Sequence, residues 1–231
     1  MAETKFRRAS DEPPDSQGPA FQRFLESMKI DFYKWHDGIG YDLDAFNEMN
    51  RSELKQVEDL LISRKDSDWR DVEALAALNT PFAVQALRDC LQSHNLECRL
   101  FAAKFLKEMG IEDQVEEVVI QTLPDTKIGN GLTFALSLAK TYPTEAIRRC
   151  ILSTALTGND DVRVHCAAMS LFLYGKAKSD FDPDNTIIYD FHEKDLAIRM
   201  KHFIELCRLV GVNPSAILTQ LQVKPGNLNQ I

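Results

Sequence analysis

The chain repeats itself. The segments ECRLFAAKFLKEMG (Glu97 to Gly110) and DVRVHCAAMSLFLYG (Asp161 to Gly175) share an acidic start, an apolar-arginine step, a small-residue pair and a closing glycine. The small pair is Ala102-Ala103 in the first and Cys166-Ala167 in the second. Arg99 and Arg163 stand 64 positions apart, two periods of about 32 residues. Halfway between, GNGLTFALSLAKTYP (Gly129 to Pro143) carries the same small and apolar residues without the arginine, and DWRDVEALAALNTP (Asp68 to Pro81) is a shortened copy upstream. A period of this length built from helix-patterned segments predicts two short helices per repeat, stacked on their neighbours.

Almost no stretch alternates as a strand would, so the fold class is all-α. The segments SELKQVEDLLIS, PFAVQALRDCLQS, EDQVEEVVIQTL and TEAIRRCILSTAL supply the partner helices. Ser52, Thr80-Pro81 and Thr144-Glu145 provide capping side chains or a proline at their starts. Gly110, Gly158, Gly175 and Gly211 fall where helices should stop. Small residues recur on every second helix because close crossings need them. The expected architecture is an α-solenoid of about four helical hairpins over 52–175. An aromatic cap at 20–51, with FQRFLESMKIDFYKW as one helix, closes one end. A second cap at 176–231 closes the other, with a long helix from about Glu193 to Val210 and a short one after it. Residues 1–19 read as a disordered polar tail, leaving a single folded domain from 20 to 231.

The apolar-Arg-x-x-Ala-Ala signature with its closing glycine resembles HEAT repeats and related bacterial HEAT-like arrays, over roughly Ser52 to Gly175. DWRDVEALAALNTP together with YDLDAF is similar to a group of small bacterial HEAT-like proteins. The resemblance implies stacked helical hairpins with an extended surface for a partner.

Charge narrows the function. The net charge is −8, and from Asp31 to Glu73 twelve acidic residues face six basic ones. Such a field repels nucleic acid and anionic lipid and suits a basic protein partner. No apolar run approaches the roughly 18 residues of a membrane span. Cys90, Cys98, Cys150, Cys166 and Cys207 form no CxxC pair and sit among apolar residues, as reduced cysteines of a cytoplasmic protein do.

The densest chemistry lies in KWHDGIGYDLDAF (Lys34 to Phe46). His36 and Asp37 have the form of a base with its orienter, and Asp42 and Asp44 could hold a divalent ion. The competing reading is a turn at DGIG, capped by Asp42 or Asp44 and pinned by Trp35, Ile39, Tyr41 and Leu43. Asp180, Asp182 and Asp184 imitate the start of a calcium loop, but Asn185 and Phe191 occupy its glycine and glutamate positions. His192-Glu193 is a lone pair with no HExxH, and His165 reads as a core or groove histidine. No catalytic residue, metal or cofactor is expected.

The reading is a non-enzymatic scaffold binding a basic protein, as an adaptor or a toxin-neutralising immunity protein would. The tentative binding residues are Trp35, His36, Asp37, Tyr41, Asp42, Asp44, Trp69, Arg70 and Asp71. The alternative is a HEAT-like enzyme, a DNA alkylation-repeat type glycosylase or a metal-dependent hydrolase. The glycosylase reading needs Arg99, Arg148, Arg149 and Arg163 on one face. Arg99 and Arg163 are otherwise expected to pair with acids of the adjacent repeat. A third role is regulatory, with RRAS (Arg7 to Ser10) as a phosphorylation site.

Overall fold

The computed structural model describes residues 17–221, and every regular element among them is helical. The RRAS motif and most of the expected 1–19 tail lie outside the described residues. None of the described helices is long and apolar enough to cross a membrane. The contacts divide the chain into two compact units, 17–63 and 64–221. The division falls at Ser63, inside a helix.

In the first unit, α1 (Pro19–Ser27) packs on a 3-10 helix, Leu43–Glu48. Phe21 and Phe24 are buried, Phe24 edge-on to Tyr41 at 5.9 Å and 4.9 Å from Phe46. The single aromatic helix expected over 21–35 is broken. Asp31 accepts from the Lys34 backbone N–H at 2.9 Å and starts a five-residue α2 (Phe32–His36). The Lys34 ammonium meanwhile donates to the carbonyls of Ser27 and Lys29 in the break. The break turns Phe32 outward rather than onto the face of Phe21 and Phe24.

Helix α3 (Arg51–Arg64) is capped by Asn50, not by Ser52. The Asn50 side chain accepts from the N–H groups of Ser52 and Glu53, and the Glu53 carboxylate accepts from Asn50 N–H at 2.9 Å. This reciprocal pair satisfies donors the helix start would leave orphaned. Glu53 also accepts from Gly18 N–H at 2.5 Å, fixing the entry to α1.

The second unit holds α4 (Trp69–Leu78), α5 (Pro81–Cys90), α6 (Leu96–Glu108), α7 (Val115–Thr122), α8 (Leu132–Thr141), α9 (Glu145–Thr157) and α10 (Asp160–Leu173). A 3-10 helix (Thr186–His192), α11 (Leu196–Val210) and α12 (Pro214–Gln220) follow. Helices α4, α6, α8 and α10 contact one another in succession, and α7, α9 and α11 do the same beside them. The small residues belong to the first row, where Ala74, Ala102, Ala103, Ala135, Ala139, Cys166 and Ala167 have no exposed surface.

The caps at Thr80 and Thr144 form as expected, accepting from Ala83 and Ile147 N–H. Gly110, Gly175 and Gly211 end α6, α10 and α11 with left-handed φ values of 70°, 69° and 74°. Gly158 stops α9 for a different reason. Its φ is ordinary, but a Cβ there would lie 2.8 Å from the Thr154 carbonyl oxygen.

All five cysteines are free. Burial pushes the Cys90 and Cys207 thiols up to about 12, and raises those of Cys98, Cys150 and Cys166. Only Cys150 is half-exposed. Iodoacetamide at pH 8 is therefore expected to label Cys150 first and the other four only on unfolding, read by peptide mass spectrometry. Fast labelling of Cys98 or Cys166 in the native protein would contradict this packing.

Candidate functional site

Aromatic side chains gather on the row of α4, α6, α8 and α10. The Trp69 ring stacks on Phe101 at 4.7 Å and 22°, and Phe134 meets Phe101 nearly edge-on at 4.6 Å. Phe105 lies 5.8 Å from Phe101. Cations sit on this cluster: the Arg70 guanidinium carbon is 4.5 Å from the Trp69 centroid, and Lys104 Nζ is 4.6 Å from the Phe105 centroid. Trp69, Phe105 and Phe134 are only half-buried, so the cluster is a floor open to solvent on one side.

Two depressions flank α8 and share Ser137. The first, about 250 Å³, lies between α6 and α8 and is walled by Phe101, Lys104, Glu108, Phe134 and Tyr142. The second, about 470 Å³, lies between α8 and α10, walled by Leu136, Lys140, His165, Met169 and by Asp180 and Phe181 of an irregular insert that joins α10 to the 3-10 helix Thr186–His192. A broader depression of about 730 Å³ between α7 and α9 has no aromatic wall.

The two flanking depressions are built alike. Phe101, Ser137 and His165 each stand five residues past the first residue of their helices. Lys104 and Lys140 each stand eight past it. Repetition thus places one lysine beside each depression.

The second depression is partly filled by the chain itself. Asp180 accepts from Lys140 Nζ at 2.8 Å, and that hydrogen bond holds its carboxyl below the usual range. The Phe181 ring packs 4.9 Å from the His165 ring. Burial lowers the His165 pKa below the usual imidazole range and favours the neutral ring, with Asp161 opposing the shift. Asp182 accepts from the N–H groups of Lys178 and Asp184, so the apparent calcium run shapes a turn and an ion pair instead.

The tentative binding residues scatter. Trp69 joins the floor. Arg70 and Asp71 are buried at 2% and 0% exposure, too deep to touch a partner. Arg70 reaches Asp68 at 3.2 Å, and Asp71 accepts from Arg64 at 3.2 Å, both structural pairings. In the first unit Tyr41 is buried against Phe24. Asp42 sits at the start of the 3-10 helix without capping it and instead accepts from Arg23 at 2.6 Å. Asp44 is exposed in that helix's first turn, and His36 bonds Asp37 at 2.8 Å on the surface. Of the two glycines in DGIG, only Gly38 has a positive φ, 64°. Trp35 does not pin the turn: with Phe32 and Tyr33 it stands out at 60–75% exposure.

The arginines do not form one cationic face. Arg163 is buried, donating to the carbonyls of Phe191 and Gly158 and to Asp160 of its own helix, not to an adjacent repeat. Arg99 donates to Gln121, an amide rather than an acid, at 2.9 Å. Arg149 pairs with Glu145 on α9.

Phe101, Lys104, Phe134, Lys140 and Tyr142 were not singled out in the sequence, because aromatics at helical spacing read as core. The recoverable signal was the lysine at the same register in α6 and α8. Comparisons with protein-family models, curated proteins and solved structures returned no match.

Proposed function

We propose that the chain is a non-catalytic protein-binding module of the HEAT-like α-solenoid kind, whose row α4–α6–α8–α10 receives an extended segment of a partner. The carrying observation is the floor of half-exposed Trp69, Phe105 and Phe134 around the buried Phe101, beside two depressions in register. The succession of contacts along each row supports the solenoid, since repeat arrays touch only their neighbours. Aromatic floors anchor partner side chains at low entropy cost, and cations over rings add orientation. The net charge of −8 favours a basic partner overall, as an adaptor or toxin-neutralising protein would have. The groove itself carries lysines, so its local chemistry differs from the mean field.

Selection of phage-displayed random peptides on the full chain tests this. Enriched peptides are expected to bind with micromolar Kd and to lose roughly thirtyfold on Phe134→Asp, the ~2 kcal/mol of an aromatic anchor. Far-ultraviolet circular dichroism of the variant should match the parent. No enrichment, or equal binding to the variant, would exclude the groove.

A further inference from the structure

The second depression shows what the first is built to take. Between α8 and α10, the chain's own insert lays a carboxylate on Lys140 and an aromatic ring on His165, through the consecutive residues Asp180 and Phe181. Between α6 and α8, Lys104 occupies the register of Lys140 and Ser137 that of His165, with Phe101, Glu108 and Phe134 among the walls. The nearest acid to Lys104 is Glu108 on its own helix at 4.0 Å, the limit of an ion pair, and Lys104 is 36% exposed. The depression there is about 250 Å³. It is a small pocket, on the scale of one large side chain rather than a whole ligand.

We propose that the depression between α6 and α8 binds an acidic-aromatic dipeptide step in a partner protein, the carboxylate on Lys104 and the ring against Phe101 and Phe134. Asp180-Phe181 is its internal counterpart one repeat along. The inference rests on the groove reading and deepens it by naming the class of segment. Glu108 shares the wall with Lys104, so the precedent of Asp180 on Lys140, rather than net charge, decides between occupants. A lysine or arginine in this pocket would meet the Lys104 ammonium, which already lies 5.6 Å from the Phe101 centroid and 4.6 Å from that of Phe105. An acidic residue meets an accessible cation, and its neighbouring ring finds an aromatic wall. The insert cannot fill both places, because Asp180 is held by Lys140. The overall negative field slows approach of such a segment, so binding should weaken less with added salt than for a partner steered by that field.

The probe is the labelled synthetic peptide SDFDPDN, the chain's own Ser179–Asn185, added to the full-length protein and followed by fluorescence anisotropy. Binding is expected, weakened at least tenfold by Lys104→Glu in the protein. Replacing the peptide's phenylalanine by alanine, or its first aspartate by asparagine, should weaken it comparably. Lys104 is surface-exposed, and circular dichroism checks that the variant stays folded. No binding up to millimolar peptide overturns the proposal. Binding abolished by Lys140→Glu but untouched by Lys104→Glu also overturns it, since the peptide is then exchanging with the insert. Stronger binding of the same peptide with lysine in place of each aspartate overturns it in favour of a basic segment. If SDFDPDN fails while library peptides still bind through Phe134, the acidic-aromatic class falls and the groove stands; if neither binds, both fall.

Discussion

Arg163→Ala is expected to destabilise residues 64–221 by about 3–5 kcal/mol, since one guanidinium supplies several charge-assisted hydrogen bonds to backbone carbonyls, each worth roughly 1.5–3 kcal/mol at most. The Arg163 guanidinium donates to Phe191 O at 2.8 Å, Gly158 O at 3.1 Å and Asp160 Oδ1 at 2.9 Å, with a longer bond to Glu193 O at 3.4 Å. It therefore ties α10 to the end of α9 and to the irregular stretch leading into α11. Alanine removes this donor from the buried Phe191 carbonyl, a loss of roughly 1–3 kcal/mol, and from the half-buried Gly158 carbonyl as well. Lysine does not replace the fork, because one ammonium cannot reach carbonyls on both sides. Arg163→Lys is therefore expected to recover less than half the loss.

Arg199 reinforces the same junction, donating to Leu156 O at 2.8 Å and Glu193 O at 2.5 Å. Burial, and next the Arg163 charge, lower the Arg199 pKa. Because both arginines use Glu193 O, either single alanine leaves that carbonyl a donor, so the double variant should cost more than the two singles together. Urea denaturation measures the free energies. For a unit of this size the melting temperature should fall by about 8–15 °C. A melting temperature within about 2 °C of the parent, below the shift that 1 kcal/mol produces, would mean that water replaces the guanidinium.

How much of this was legible depended on whether a residue's meaning is local. The small pairs Ala102-Ala103 and Cys166-Ala167 announced a close helix crossing, and these residues are wholly buried. Thr80 and Thr144 announced helix starts, and both cap. Those signals are carried by nearest neighbours in sequence. Arg163 was visible as a repeated arginine, but two of its partners are carbonyls some 30 residues away, and nothing in a carbonyl's sequence marks it. The break in the first aromatic helix was missed because the 3.6-residue spacing of Phe21, Phe24, Leu25, Met28 and Phe32 is intact. The competing cap at Asp31 outweighed it. The aromatic floor was missed for a third reason. Phe101 and Phe134 sit at core spacing, and only packing of α6 beside α8 decides how much of each ring stays in water. Trp35 drew attention for its neighbours, while Phe32 and Tyr33, equally exposed, did not.

Phe24→Ala is expected to unravel α1 and the 3-10 helix Leu43–Glu48 in the first unit. Phe24 has no exposed surface and joins the two elements through Tyr41 and Phe46. Truncating a buried phenylalanine costs about 3–5 kcal/mol, part transfer and part cavity. A segment as short as 17–63 has little to set against that, since small units bury a smaller share of their surface. The ion pairs from Arg23 to Asp42 and Glu48 bridge the same two elements but are solvent-exposed, and surface pairs of this kind contribute little. Asp42→Asn should therefore leave the structure intact while Phe24→Ala does not. Phe24→Leu, keeping most of the volume, should cost under about 1.5 kcal/mol. Hydrogen exchange separates the cases. Amides of α1, such as Met28 bonded to Phe24 O, should lose protection in Phe24→Ala and keep it in Asp42→Asn. Equal loss in both variants would show that the ion pairs, not the aromatic contact, hold α1 in place.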